Sequence, residues 1–251
     1  MLANLLEYLD ELLSPAAFSD YGPNGLQVPG PESVKTVVTG VTASAELFRR
    51  AAKLDADLVL VHHGIFWSGS PLALTPAAKH RLKLLFEHDM ALAAYHLPLD
   101  GHAEVGNNAL IAAGLGCTAH EPFALHKGMP IGVAATFGGD GIAAGELVAR
   151  VHELTDREPL AFLSGPARVR KIGIVSGAGS NYLGDAIAAG HDAFLTGEPA
   201  ERVMTQAAEE GIHFLAAGHY ATETFGVRRL GELLAERFGI RHEFVDLVNP
   251  V

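Results

Sequence analysis

The sequence is short of three things, and each shortage removes a class of protein. It has one cysteine, Cys117, in 251 residues, which excludes an internal disulfide framework and any cysteine-based zinc site and suits a reducing compartment. It has no apolar run near the roughly 18 residues needed to cross a bilayer, so no membrane association is expected. It has no Lys/Arg cluster, and 18 basic against 29 acidic residues give a net charge of −11; a nucleic-acid-binding surface is not expected. The N-terminus lacks the basic flank of a secretory signal, since Met1–Glu7 opens an amphipathic stretch carrying Glu7, Asp10 and Glu11. The expected location is the cytoplasm.

What is present is a soluble α/β composition, 49% hydrophobic and 19% charged with 28 glycines, at a length that allows one large domain or two small ones. A first helix ends near Ser14-Pro15 and a turn-rich segment covers Ser19–Pro31. Thr36–Thr42 reads as a β-branched strand, Ala45–Leu54 as a helix capped by Ser44, and Leu58–Val61 as a buried strand. This alternation predicts a βαβ unit with a parallel sheet. A helix over Ala77–Glu87, a strand over Ala91–Tyr95, a loop His96–Gly101 and a helix over Val105–Ala113 follow. The later half repeats the plan, with strands at Val169–Ser176, Ala193–Thr196 and Ile212–Ala216 and helices at Asn181–Ala189 and Pro199–Glu209.

The two halves align. At an offset of 135, Asp57-Leu58-Val59-Leu60 falls on Asp192-Ala193-Phe194-Leu195, and His63 on Glu198. At an offset of 123, His96 falls on His219 and Asp100 on Glu223. The sequence therefore reads as an internal duplication, two similar α/β halves related by a pseudo-twofold. They span residues 1–125, carrying His62, His63 and Asp100, and 126–251, carrying His219 and Glu223, with the boundary around Pro122–Gly128.

The chemistry concentrates at the ends of predicted strands. His62-His63-Gly64 is expected just beyond a strand's carboxyl end, where α/β folds place ligands; adjacent strand residues face opposite ways, and Gly64 frees the backbone to turn both rings toward one cleft. His219 and Glu223 stand at i, i+4 on a predicted helix running on through Arg237, so they share a face. Asp100 is expected in a strand-end loop. Of the 13 histidines, His80, His88, His152 and His242 are expected to face solvent, and His102, His120 and His126 to lie in loops.

Three imidazoles and two carboxylates are more than one catalytic zinc uses and suit two metals sharing a carboxylate. The mixed N/O set favours Zn, Fe, Mn, Ni or Co over Mg or Ca. A hydroxide bridging the two would be the nucleophile. Glu198 is expected at the same cleft as an outer partner or a general base, and Ser176–Ser180 is a weak candidate for an anion cradle, lacking the lysine of a P-loop. Cys117 has no activating neighbour in sequence.

Several segments together resemble the Nif-three-like dinuclear-metal proteins, often labelled GTP cyclohydrolase I type 2 homologues. They are Tyr21–Val28, Val38–Ala43, Val61–Gly64, His96–Asp100, Gly106–Asn108, Asp192–Glu198 and Ala217–Glu223, in that order along the chain. The resemblance implies two divalent metal ions held by His62, His63, Asp100, His219 and Glu223 in a cleft between the halves. It also implies a short bacterial form without the domain that longer relatives insert, and a toroidal homohexamer with its metal sites facing inward. It implies a metal-dependent hydrolase acting on a nucleotide or another small metabolite; from the reading of the residues, Glu223 and Glu198 are expected to be its catalytic carboxylates. The rival reading is a non-enzymatic protein that stores, delivers or senses metal, or serves as a scaffold.

Overall fold

Leu2, Leu5, Leu9 and Leu13 recur at helical spacing and form the buried stripe of α1 (Leu2–Leu13). In the computed structural model, which describes residues 1–251, α1 is followed by β1 (Gly25–Val28), β2 (Thr36–Thr42), α2 (Ala45–Lys53), β3 (Leu58–His63), α3 (Pro76–Glu87), β4 (Ala91–Ala94), α4 (Leu97–Asp100) and α5 (Asn107–Gly114). Then come β5 (Ala119–His126), β6 (Met129–Thr136), β7 (Ile142–Ala143), α6 (Ala144–Thr155), β8 (Leu160–Leu163), β9 (Arg168–Val169) and β10 (Lys171–Val175). The chain closes with α7 (Leu183–Ala188), β11 (Ala193–Thr196), α8 (Val203–Glu210), β12 (His213–Ala216), α9 (His219–Thr222), α10 (Thr224–Phe238) and β13 (Arg241–Phe244).

These elements form two units, residues 1–99 with 226–247 and residues 100–225 with 248–251. The units are discontinuous because most of α10 and all of β13 pack with the first sheet, so they do not coincide with the linear halves 1–125 and 126–251. The first unit has a five-stranded sheet in the order β1-β4-β3-β2-β13. Its β13, β2, β3 and β4 are parallel neighbours, and β1 is antiparallel to β4. The inner strands are buried on both faces, which is why Leu58–Val61 reads as a continuous apolar run and Val37–Val41 is interrupted only by Thr39 and Gly40. Val38, Val59, Val61 and Leu92 meet Leu47 and Phe48 of α2 and Leu85 of α3 in one core.

The second unit has a six-stranded sheet, β5-β6-β10-β11-β12-β8, with β10, β11 and β12 parallel and the outer strands antiparallel. Ile172, Ile174, Leu195 and Leu215 pack there with Ile111 and Leu115 of and after α5 and with Leu147 and Val151 of α6. In each unit the residues singled out above lie at or after the carboxyl ends of parallel strands. No helix is long and apolar enough to cross a membrane.

Several local expectations need correction. His62 and His63 are the last two residues of β3 rather than a loop beyond it, because β2 extends to Thr42 and pairs with His63. Asp100 ends a one-turn helix rather than sitting in an open loop; the turn is started by Leu99 N–H donating to His96 O. The helix expected to run from His219 through Arg237 is broken at Glu223, whose φ is −113°. Pro122–Gly128 lies in the β5–β6 hairpin. His242 does not face solvent: its Nε2 lies 2.7 Å from Thr39 Oγ1, and burial lowers its pKa below the ordinary 6.5.

Candidate metal centre

In the first unit, β3 and β4 are parallel neighbours, so the residues at and after their carboxyl ends come side by side. His62 and His63 at the end of β3 meet His96 after β4. Ring centroids are 4.7 Å apart for His62–His63, 5.0 Å for His62–His96 and 5.5 Å for His63–His96. One potential ligand atom from each of the three lies within 4.8 Å of the others. His62 is fully buried.

The turn-rich segment 19–31 is the scaffold behind these rings. Gln27 accepts from Ile65 N–H through Oε1 at 2.8 Å and donates from Nε2 to Pro23 O at 2.8 Å. Its amide lies against Gly64, where a Cβ would stand 2.2 Å from Gln27 Nε2, so a larger residue there would have to displace the Gln27 side chain. Asp20 accepts from His96 Nδ1 at 2.7 Å, from Leu97 N–H at 2.9 Å and from Asn24 Nδ2 at 2.9 Å. Asn24 Oδ1 in turn accepts from His96 N–H at 2.8 Å. Burial alone would raise the Asp20 carboxyl, but the hydrogen bond and charge of His96, with Asn24 and the Tyr21 amide, hold it at about 2.

In the second unit, the parallel strands β10, β11 and β12 bring three more segments together at their carboxyl ends. His219 Nδ1 lies 2.5 Å from Glu198 Oε1, and His219 Nε2 lies 3.1 Å from Glu223 Oε2. Burial would lower the His219 pKa; the hydrogen bonds and charges of Glu223 and Glu198 outweigh it and raise the value to about 9. Glu223 is 3% exposed, and a buried carboxylate is costly unless paired or bound to a cation.

Asp100 is also buried. Its Oδ1 accepts from Asn107 Nδ2 at 2.8 Å and Ser176 Oγ at 3.1 Å, and its backbone O accepts from Asn108 Nδ2 at 3.2 Å. Asn108 Oδ1 accepts from Ser176 N–H at 2.7 Å.

The Ser176–Ser180 turn does not serve as an anion cradle. Its amides are donated inward: Ser176 N–H to Asn108, Gly177 N–H to Thr222 Oγ1 at 3.0 Å and Gly179 N–H to Thr196 Oγ1 at 3.0 Å. The glycine of this turn serves Glu223 instead. Gly177 has φ +60°, and a Cβ there would stand 2.2 Å from Glu223 Oε1 and 3.1 Å from His219 Nε2.

Each unit thus gathers its own share of the expected residues: His62 and His63 in the first, and Asp100, His219, Glu223 and Glu198 in the second. Sequence reasoning set His96 and Asp20 aside. The alignment of His96 with His219 was the signal for the former; Asp20 had none, because an aspartate before Tyr-Gly-Pro reads as a turn. Cys117 is half-buried, and burial pushes its thiol up to about 12 against a small opposing pull from Arg150, so it is no nucleophile at neutral pH.

The donor chemistry fits divalent transition metals. Imidazole and carboxylate donors face one another, and the ring nitrogens on the far side are held by outer acceptors, as in established metal sites. Two units of parallel strands with His and Glu groups at their carboxyl ends that could hold a metal ion define an α/β protein with a candidate metal site.

The comparisons carry the assignment to a family. The chain belongs to the family Duf34/NIF3 (NGG1p interacting factor 3), whose model matches residues 1–250. A Pseudomonas aeruginosa protein named GTP cyclohydrolase 1 type 2 homolog is 44% identical over 250 residues, covering 99% of this chain and 98% of the relative. The solved structure of protein ybgI, described as of unknown function, has a TM-score of 0.93 at 40% identity over 99% of both chains. That of TTHA1606 from Thermus thermophilus has a TM-score of 0.88 at 36% identity, again over 99% of both.

Proposed function

We propose that the chain is a metal-dependent hydrolase in which His62, His63, Asp100, His219 and Glu223 would hold two divalent transition-metal ions. The observation that carries this reading is the pairing of His219 with Glu223 at 3.1 Å behind a glycine that leaves room for nothing larger. When bound, two such cations supply Lewis acidity and lower the pKa of a shared water. Glu198 fixes the proton on His219 Nδ1 and so turns Nε2 toward Glu223. Asn107 and Ser176 hold the Asp100 carboxylate in one orientation. The similar placement of His63 and Glu198, and of His96 and His219, at or just after the ends of corresponding parallel strands supports an internal duplication.

The names of the relatives suggest hydrolytic ring opening of GTP or a related nucleotide; a phosphorylated or amide-containing metabolite is the wider class. A toroidal homohexamer in the cytoplasm completes the proposal. The second reading, metal storage, delivery or sensing, is favoured by one observation: the amides of Ser176, Gly177 and Gly179 in the turn that could have bound phosphate are spent inside the protein. Turnover of a nucleotide and metabolite panel by metal-loaded protein, beside Glu223→Ala, separates the two. The hydrolase reading expects a substrate consumed at least about tenfold faster by the unsubstituted chain, since loss of one metal-bound carboxylate costs more than about 1.4 kcal/mol of transition-state stabilisation. Equal rates across the panel, with metal passing to an apo-acceptor within minutes, would favour the handling role.

A further inference from the structure

The first unit carries a group of aromatic rings that belongs neither to its core nor to the donor sets. The turn-rich segment and the chain leaving β3 are clasped together, with Ser68 N–H donating to Tyr21 O at 2.6 Å. Gly22 permits the clasp, because a Cβ there would collide with Phe66 O and stand 3.6 Å from Trp67 Cε3. Trp67 Nε1 donates to Gly64 O at 3.1 Å, which fixes the plane of the indole. The indole centroid then lies 5.2 Å from the His96 ring, near perpendicular at 87°, and 5.8 Å from the His63 ring. Tyr21 reaches the same imidazole, 6.1 Å from His96. These are the spacings at which aromatic rings attract one another. Yet the group is not sealed in: Tyr21 and Phe66 are 50% and 42% exposed, and Trp67 is only half-buried. Large apolar side chains grouped in the open mark a binding site.

We infer that Tyr21 and Trp67 are the walls of a subsite for a planar heteroaromatic ring, held by stacking beside His63 and His96. The inference rests on the hydrolase reading and deepens it by naming the substrate class, a flat nitrogen heterocycle rather than an open-chain or purely sugar metabolite. Indole and phenol rings have electron-rich faces, and flat heterocycles stack on them whatever their edge substituents. His63, one of the five residues proposed to hold metal, would border the bound ring. A ring is also the handle that the molecule leaves for recognition. The net charge of −11 repels a free phosphate, and the amides of Ser176, Gly177 and Gly179 are turned inward.

Trp67 is the chain's only tryptophan, so its fluorescence reports on this subsite alone. The test titrates the full chain with guanosine monophosphate, adenosine monophosphate and nicotinamide, with ribose phosphate as the ring-free control and N-acetyltryptophanamide as the inner-filter reference. Saturable quenching by at least one of the three ring compounds, and none by ribose phosphate, is expected. Tyr21→Leu, at an exposed position and so compatible with the fold, should weaken that binding by at least about fivefold. Trp67→Leu, read by calorimetry because the reporter is gone, should weaken it as much, and Trp67→Phe should recover most of it by restoring a ring face. Phe86→Leu, at an exposed aromatic on α3, should leave it unchanged. The inference is overturned if no ring compound quenches saturably, if ribose phosphate quenches equally, or if Tyr21→Leu and Trp67→Leu both bind within twofold of the unsubstituted chain. It is overturned as well if Tyr21→Leu spares binding but dissociates an assembly on a sizing column, because the rings then form a contact between copies. A substrate consumed at a rate independent of Tyr21 and Trp67 would sink the subsite and leave the hydrolase reading standing. Ring compounds bound through both residues, with no substrate turned over, would do the reverse.

Discussion

Gly177 is the residue at which one methyl group does most to the second unit's donor set. A Cβ there meets Glu223 Oε1 at 2.2 Å, and φ of +60° disfavours any L side chain besides. Gly177→Ala should therefore displace Glu223, weaken metal binding by at least tenfold in a titration, and destabilise the apo-protein by roughly 1–3 kcal/mol. His219 gives a pH prediction. Its pKa is raised to about 9, so the imidazolium's contribution to the metal-free fold is complete below 6.5 and lost as pH rises through about 9. A metal ligand must give up that proton. Metal binding at pH 7 should release protons, seen as a dependence of the calorimetric heat on buffer ionisation enthalpy; a heat independent of buffer would contradict it. At this scale adjacency singled out His62-His63 and spacing singled out His219 with Glu223. Asp20 and Gln27 were not legible, because His96 and Ile65 are 76 and 38 positions away in sequence and nothing local marks a carboxylate or amide as an outer support.

Among the elements, the strongly patterned ones were legible. The β-branched run of β2, the apolar run of β3 and the Ser44 cap of α2 lie where the pattern puts them, within a residue or two. Ser44 accepts from Leu47 N–H at 3.1 Å. Ser44→Ala should accordingly cost about 1 kcal/mol in urea denaturation, and no change would mean that packing of Leu47 and Phe48 alone sets the helix start. The β5–β6 hairpin escaped because β5 is an edge strand whose residues are mostly exposed, so it carries neither an apolar run nor clean alternation. The break at Glu223 escaped because helical spacing survives it: His219 and Glu223 still meet at 3.1 Å.

At the scale of the whole molecule, the α/β class follows from the alternation of strand and helix patterns, while the composition of the two units does not. A linear reading divides the chain once, whereas packing returns α10 and β13 to the first sheet, with β13 beside β2 at Arg241–Thr36 to Phe244–Thr39. That return pairs residues about 200 positions apart, which no local period encodes. The family match over residues 1–250 and the His and Glu groups that could hold a metal ion are what the proposed metal centre rests on. The direct measurement is metal content per chain in protein purified without chelator or affinity metal. The account predicts about two equivalents of divalent transition metal, the number its paired ligand sets call for, and a preparation that is folded and carries none would contradict it.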